Sequence, residues 1–387
     1  MKKLISILGS TGSIGLTTLK IVDKKKNYFQ PYFFAANKNY NLICKQIKKY
    51  KPHFFLIHNQ KVFNKVKKKF KISKTKIVNS LNARTLIRVS SITVTAIPGL
   101  AGLPLTLSLI KKSKKMLIAN KESIICGWNL INKNSLKYKT EIIPVDSEHF
   151  SILKLIENTE LDQIEKVYLT ASGGPFLNFK KKELEKIKPA QALKHPKWDM
   201  GSKISIDSST LINKVLEYIE AQKLFNLSND KLEIIIHPES LVHAIIKFKN
   251  GLTKFIYHET SMIIPLANAI FNNNLSINKF INDKKKIRSL TFKKPNQINF
   301  PIIKILNRVN EFPSTSIIVN ASNEVLVDHF LRKKVPFLGI PLIIQKILSD
   351  KNYKKYAIKS PKELKHIYEI SSWAKNKTIE KIKALYD

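Results

Sequence analysis

Lys3-Leu4-Ile5-Ser6-Ile7-Leu8-Gly9-Ser10-Thr11-Gly12-Ser13-Ile14-Gly15 decides the reading of the fold. Residues 3–8 are a short β-type apolar run, a glycine turn follows, and a helical pattern continues to about Val22. The turn has the spacing G-x-x-G-x-x-G. Glycines there let backbone amides approach a pyrophosphate, which sits at the positive end of the next helix. A plain turn is the alternative, but the position after a first strand and before a first helix favours dinucleotide binding.

Working outward, Phe33-Phe34-Ala35-Ala36 and Phe54-Phe55-Leu56-Ile57 read as further strands. So do Ile92-Thr93-Val94-Thr95-Ala96-Ile97, which ends at Pro98-Gly99, Met116-Leu117-Ile118-Ala119, and Glu141-Ile142-Ile143-Pro144-Val145. Helical patterns lie between them. The alternation predicts an α/β, Rossmann-like doubly wound parallel sheet over 1–147, the domain that carries the dinucleotide turn. The pattern then changes to a mixed α+β domain over 148–271. Its strands are Lys166-Val167-Tyr168-Leu169-Thr170, Leu232-Glu233-Ile234-Ile235-Ile236, and a pair around Asn250-Gly251, a hairpin signal. An Asn- and Lys-rich linker is expected over 272–297 and a C-terminal helical domain over 298–387.

The chain has 387 residues, of which 43% are hydrophobic, as in an ordinary globular protein of two or three domains. No apolar run approaches the ~18–20 residues that span a bilayer. The apolar start is cut short by Gly9 and is too brief for a signal-peptide core. A soluble, cytoplasmic protein with no membrane partner is expected. Cys44 and Cys126 have no metal or redox spacing. Lys and Arg outnumber Asp and Glu by 68 to 28, a net charge of +40. Nucleic-acid binding would explain such a charge. However, the lysines fall in many short runs, such as Lys24-Lys25-Lys26 and Lys284-Lys285-Lys286, with no nucleic-acid-reading motif. A dispersed basic surface is favoured and no nucleic-acid partner is expected. The charge would still speed the approach of anionic small molecules.

Carboxylates are therefore scarce, and where they gather is informative. Asp146 and Glu148 flank Ser147 after a strand, while Asn213, Lys214 and Glu217 share one helix face. Asp146, Glu148 and Glu217 suit a hard cation, Mg²⁺ or Mn²⁺, with Co²⁺ a further option. Taken singly, each motif reads more readily as an ordinary surface Asp/Glu pair or an ordinary helix salt bridge. Ser172 in Ala171-Ser172-Gly173-Gly174-Pro175, with Ser208, Asn213 and Lys214, could close around a phosphate. The second strand ends in Asn37-Lys38-Asn39 with no acid, and Lys38 suits a 2′-phosphate, which favours NADPH over NADH. His195-Pro196-Lys197-Trp198-Asp199-Met200-Gly201 reads as an active-site lid or as a structural loop around a packed Trp.

In combination these residues resemble the 1-deoxy-D-xylulose 5-phosphate reductoisomerases. The resemblance also rests on Leu117-Ile118-Ala119-Asn120-Lys121-Glu122-Ser123, His237-Pro238-Glu239-Ser240 and Asn320-Ala321-Ser322-Asn323-Glu324. It implies rearrangement of a small phosphorylated sugar followed by NADPH reduction, in a homodimer serving non-mevalonate isoprenoid synthesis. It implies metal ligation by Asp146, Glu148 and Glu217. It implies substrate contacts from Lys121, Ser147, Glu148, Ser172, His195, Ser208, Asn213, Lys214 and Glu217. Lys121, Glu148, His195, Glu217 and Glu220 would be catalytic, with His243 a further neighbour. Thr11, Gly12, Ser13, Ile14, Asn37, Lys38, Asn39, Asn120, Glu122 and Gly201 would line the cofactor site, and Trp198 and Met200 would belong to the lid. Asn37 and Val215 stand where the family commonly has Gly. A semialdehyde-dehydrogenase type of enzyme would need a cysteine nucleophile, and the settings of Cys44 and Cys126 do not suggest one.

Overall fold

The computed structural model describes residues 2–81, 86, 88–198, 200–277 and 289–386. Residues 278–288 of the expected linker, with the Lys284-Lys285-Lys286 run, lie outside the described residues, as does Asp199 of the 195–201 loop. Contacts divide the chain into two compact units. Unit 1 comprises Met1–Ser123, Leu130–Asp146 and Met262–Asn282, and unit 2 comprises Ile124–Asn129, Ser147–Ser261 and Asp283–Asp387.

Unit 1 is built on seven strands: β1 (Lys3–Leu8), β2 (Phe29–Ala36), β3 (Phe54–Ile57), β4 (Lys76–Val78), β5 (Ser90–Thr95), β6 (Ser113–Ile118) and β7 (Glu141–Pro144). They form one sheet in the order β4-β3-β2-β1-β5-β6-β7, with every pairing parallel. Between them run helices α1 (Ser13–Lys24), α2 (Tyr40–Tyr50), α3 (Gln60–Lys69), α4 (Leu103–Ile110) and α5 (Lys121–Tyr138). Ile5, Ile7, Leu8, Phe33, Phe34, Phe55, Val94, Met116 and Leu117 are fully buried. Strands covered on both faces carry such continuous apolar runs. The chain winds outward from β1 to β4, then returns to the other side of β1 at β5. The carboxyl ends of β1 and β5 thus form the switch point where doubly wound sheets bind ligands.

In unit 2 the chain continues through α6 (Ser147–Leu155), β8 (Ile164–Ala171), α7 (Lys181–Leu184), α8 (Pro189–Ala192), α9 (Ser202–Ser209) and α10 (Ile212–Phe225). Strands β9 (Leu232–Ile236), β10 (Val242–Phe248) and β11 (Thr253–Tyr257) follow. The second sheet has the order β11-β10-β8-β9. It is mixed: β8 and β9 are parallel, and β10 is antiparallel to both β8 and β11. The turn at Asn250-Gly251 joins β10 to β11, with Gly251 at φ +85°. After α11 (Ile263–Phe271) come α12 (Thr315–Leu331), α13 (Gly339–Leu348), α14 (Tyr353–Ala357) and α15 (Leu364–Tyr386). Their apolar faces meet through Ile318, Leu326, Ile343, Ile344, Ile347 and Ile370, all fully buried.

The contact units cut the chain differently from the boundaries drawn on sequence. Helix α11 rejoins unit 1, where the Phe271 ring lies 5.1 Å from Tyr28 and 5.7 Å from Phe29. The Lys115 ammonium donates to the Ala269 carbonyl at 3.3 Å and to Asn272 Oδ1. Helix α5 bends at Gly127, which has non-helical dihedrals, and its stretch 124–129 counts with unit 2. There Ser316 Oγ of α12 donates to the Ile125 carbonyl at 3.1 Å.

Candidate active site

The glycines of the first turn have three separate duties. Gly9 has φ +84°, and a Cβ there would lie 2.5 Å from the Ala96 carbonyl oxygen, so it lets β1 turn tightly against the end of β5. A Cβ on Gly15 would meet the Gly9 carbonyl oxygen at 2.3 Å, so Gly15 lets α1 pack on the turn. Gly12 is exposed, and a Cβ there would touch only the Gly9 carbonyl oxygen at 3.4 Å. The fold does not demand glycine at 12, and the missing side chain leaves room over the helix start. Gly12 is the N-cap of α1 and gives no side-chain cap, so the first amides of α1 are left for an anion. Thr11, Ser13 and Ile14 surround this point, with Ser13 exposed.

Sequence reasoning missed the residue that fixes the turn from behind. Buried Gln46 of α2 accepts from Ser10 Oγ at 2.7 Å and donates to the Ser10 carbonyl at 2.8 Å. Asn37, Lys38 and Asn39 are exposed at the end of β2, and Asn39 caps α2 by accepting from Leu42 N at 3.1 Å. Asn37 is not among the residues with positive φ, so this turn forms without a glycine.

At the end of β6, buried Asn120 caps α5, accepting from Ser123 N at 2.6 Å. Its amide also donates to the Ile97 carbonyl and, at 3.0 Å, to the Gly99 carbonyl. It thereby ties the ends of β5 and β6 together. Lys121 and Glu122 are buried in the first turn of α5. The Lys121 ammonium lies 3.2 Å from Asp146 Oδ2.

In unit 2, α10 is buried almost throughout although it carries Lys214, Glu217 and Glu220. Such charges are tolerated only when paired. The Lys214 ammonium sits between Glu148 of α6, at 2.8 Å, and Glu217, at 2.5 Å. Burial alone would lower the Lys214 pKa, but the two carboxylates outweigh it and raise it above the usual lysine value. Asn213 Nδ2 donates to Glu217 Oε1 at 2.5 Å, and Ser147 Oγ to Glu148 Oε2 at 2.6 Å. Val215, fully buried between Lys214 and Leu216, packs inside the helix layer. His149 Nε2 donates to the Glu217 carbonyl at 2.9 Å, and its Nδ1 faces Glu220 Oε2 at 3.4 Å. His149 and Glu220 therefore hold the backbone of Glu217 from the core side.

A second group gathers at the end of α9. His195 Nδ1 accepts from Trp198 N at 2.9 Å and Lys197 N at 3.2 Å, so the neutral ring carries its proton on Nε2. Nε2 then donates to Ser172 Oγ at 3.0 Å, which also accepts from Gly174 N at 3.1 Å. With two donors already directed at its oxygen, Ser172 can aim its own O–H outward. Burial lowers the His195 pKa to about 4, so the ring is neutral at ordinary pH. The Gly174 backbone crosses close over α9: a Cβ on Gly174 would lie 3.0 Å from the Ser208 carbonyl oxygen. Ser172 and Ser208 are thus neighbours through the backbone. Between Ser208 and Asn213, buried Leu211 adopts φ +66°, a left-handed conformation uncommon for leucine, which breaks α9 from α10. Trp198 packs edge-on to buried His243, with centroids 6.1 Å apart, and His243 stacks on His258 at 3.8 Å. Gly201, exposed and free of steric demand, caps α9.

The atoms that face the Lys214 ammonium are carboxylate oxygens of Glu148 and Glu217, converging on one cation. That chemistry fits a hard divalent ion. Cys44 and Cys126 are both buried and are not joined in a disulfide. Among the described residues, no helix is long and apolar enough to cross a membrane.

Known proteins resemble this chain over most of its length. The family model described as 1-deoxy-D-xylulose 5-phosphate reductoisomerase matches residues 5–127. Its C-terminal domain model matches 142–225, and the DXP reductoisomerase C-terminal domain model matches 258–377. The 1-deoxy-D-xylulose 5-phosphate reductoisomerase of Pelagibacter ubique (strain HTCC1062) is 43% identical over 379 residues, 96% of this chain and 97% of its own. The structure of the Zymomonas mobilis enzyme in complex with NADPH superposes with a TM-score of 0.85 at 28% identity, covering 100% of both chains. A DOX-P reductoisomerase in complex with NADPH, fosmidomycin and magnesium gives 0.90 at 29% identity, covering 99% of both. The chain belongs to the 1-deoxy-D-xylulose 5-phosphate reductoisomerase family of enzymes.

Proposed function

We propose that this protein converts 1-deoxy-D-xylulose 5-phosphate into 2-C-methyl-D-erythritol 4-phosphate by rearrangement and NADPH reduction, with Mg²⁺ or Mn²⁺, in non-mevalonate isoprenoid synthesis. The observation that carries this reading is the Glu148–Lys214–Glu217 cluster, a seat for positive charge between α6 and the buried helix α10. Solved relatives whose names include NADPH and magnesium support it.

Asp146, Glu148 and Glu217 would ligate the metal. When bound, the metal polarises the substrate's oxygens and stabilises developing negative charge. Lys214, with Ser172, Ser208 and Asn213, would offer its ammonium to the substrate phosphate. His195, neutral and donating through Nε2, holds Ser172 so that its O–H points to the phosphate. A phosphate anchored away from the reacting carbons lends its binding energy to orientation and closure. Trp198 and Met200 would form the closing loop and exclude water. Lys121 and Ser147 would contact the substrate, with Glu220 positioning Glu217 through His149. NADPH, the hydride donor, would lie on Thr11, Gly12, Ser13 and Ile14, with Asn37, Lys38 and Asn39 around its ribose phosphate and Asn120, Glu122 and Gly201 along the rest. On this reading 1–147 is the NADPH-binding domain, 148–271 the catalytic domain and 298–387 a supporting helical domain. The working form would be a cytoplasmic homodimer.

The test is NADPH consumption with 1-deoxy-D-xylulose 5-phosphate, with and without Mg²⁺ or Mn²⁺. Metal-dependent oxidation is expected, and its absence with purified protein overturns the reading. Glu217→Gln should lose metal-dependent turnover yet keep NADPH binding.

A further inference from the structure

The Asn320-Ala321-Ser322-Asn323-Glu324 motif takes no part in the chemistry above, yet it places uncharged polar groups in the core. Helix α12 buries Ile317, Ile318, Val319, Leu326 and Phe330. Ser316, Asn320 and Asn323 interrupt this apolar surface at intervals of four and three, which puts them on one face. Each is at most 2% exposed. Burying an amide costs free energy unless it is hydrogen-bonded. The Asn323 amide nitrogen meets this demand by donating from Nδ2 to Asp207 Oδ1 at 2.8 Å. The direction is fixed because an ionised carboxylate only accepts.

Asp207 is itself 1% exposed and lies on α9 immediately before Ser208. Its other oxygen is held by the Lys203 ammonium at 2.9 Å, one turn earlier in the same helix. The Lys203 bond stiffens α9 internally, whereas the Asn323 bond reaches across 116 residues of sequence and anchors α9 to α12. On the opposite side, the Gly173-Gly174 turn presses on the Ser208 backbone. The end of α9 is therefore gripped between that turn and α12.

We propose that Asp207 and Asn323 are a positioning pair that fixes Ser208 for phosphate binding, so that α12 sets the strength of the phosphate grip. The proposal rests on the assignment of Ser208 to the substrate phosphate. Neither side chain touches substrate, and both act through the placement of α9. Displacing an anchor by a fraction of an ångström weakens binding without removing any reacting group.

The experiment compares wild type with Asn323→Leu, Asp207→Asn, and the exchange Asn323→Asp with Asp207→Asn, each first checked by circular dichroism. It measures KM and kcat for 1-deoxy-D-xylulose 5-phosphate, competitive inhibition by inorganic phosphate, and NADPH affinity by fluorescence. Asn323→Leu should raise KM and the phosphate inhibition constant together by about tenfold, with kcat within about twofold and NADPH affinity unchanged. Asp207→Asn, milder because an amide can still accept, should move both constants the same way by less and carries the test if the leucine variant does not fold. The exchange should recover most of the loss, as a coupled pair requires. Unchanged KM and phosphate inhibition in the folded single variants would overturn the proposal, as would a parallel loss of NADPH affinity or no recovery in the exchange. Failure of the functional reading is separate: wild type would then show no turnover, or Ser208→Ala would leave phosphate inhibition untouched.

Discussion

Replacing Lys214 with Met removes the ammonium that Glu148 and Glu217 share but keeps most of the side-chain volume. At 2.8 and 2.5 Å, with an effective dielectric of about 20, the two attractions are each roughly 6 kcal/mol before desolvation. Desolvation of the buried ammonium offsets much of this. Stranding buried carboxylates by removing their partner typically costs about 3–5 kcal/mol, and that is the destabilisation expected of the metal-free variant. A divalent ion should restore part of it. At a hundredfold excess over its dissociation constant, a ligand of the folded state returns about 2.7 kcal/mol. The wild type should gain less from Mg²⁺, because its own ammonium already occupies the carboxylates. The assay is urea unfolding in EDTA and in Mg²⁺, for both proteins. An unchanged midpoint in EDTA, or equal stabilisation by Mg²⁺ in both, would refute the idea that Lys214 occupies a cation seat. The pH dependence gives a second check. The Lys214 pKa is raised above the ordinary lysine value by its two carboxylate partners, so its contribution is complete below that ordinary value and is lost only as pH climbs through the folded one. Wild type should have an alkaline loss of stability that the Met variant lacks.

The glycines of the first turn should separate in their effects. Gly15→Ala, with its Cβ 2.3 Å from the Gly9 carbonyl oxygen, should yield little folded protein, whereas Gly12→Ala should fold normally and lose NADPH affinity. Thermal melts and fluorescence titration distinguish the two, and a folded Gly15→Ala with full affinity would contradict the packing argument. The His195 ring should titrate near pH 4 by NMR, not near 6.5, because burial lowers its pKa. Since that folded value lies below the unfolded one, its contribution to stability falls as pH drops from 6.5 toward 4. A midpoint near 6.5 would undo the tautomer assignment. Asn120→Ala should cost about 0.5–2 kcal/mol as a lost N-cap, measured by denaturant unfolding. An unchanged midpoint would show that the cap adds nothing.

Much of unit 1 was legible because its signals are local. Strand β1, the glycine turn and α1 follow each other within 22 residues (Lys3–Leu8, then Ser13–Lys24), and period and glycine spacing suffice to read them. The three-residue strand β4 gave too short a pattern to notice. The shared face of Asn213, Lys214 and Glu217 followed from helix spacing, and the Asn213 and Lys214 contacts to Glu217 are the outcome. What spacing could not reveal was that Lys214 also reaches Glu148, 66 residues away. Gln46 and Asp207 were missed for the same reason, and Asn323 was read only as part of a motif: their meaning lies in partners far along the chain. The backbone of Leu211 was hidden differently, since leucine gives no sign of a left-handed conformation. Likewise, the return of α11 to the first unit depends on Phe271 meeting Tyr28 and Phe29, which no local pattern encodes.

That return has a consequence for synthesis on the ribosome. The last strand of the parallel sheet ends at Pro144, but α11, whose Phe271 covers Tyr28 and Phe29, ends only at Phe271. The interval is 271 − 144 = 127 residues, roughly 6–25 s of translation at the usual ~5–20 residues per second. For that time the nascent sheet must wait with the aromatic patch at Tyr28 and Phe29 uncovered by α11. A chain cut between residues 145 and 262 would keep every strand of the first unit and still lack the helix that closes it.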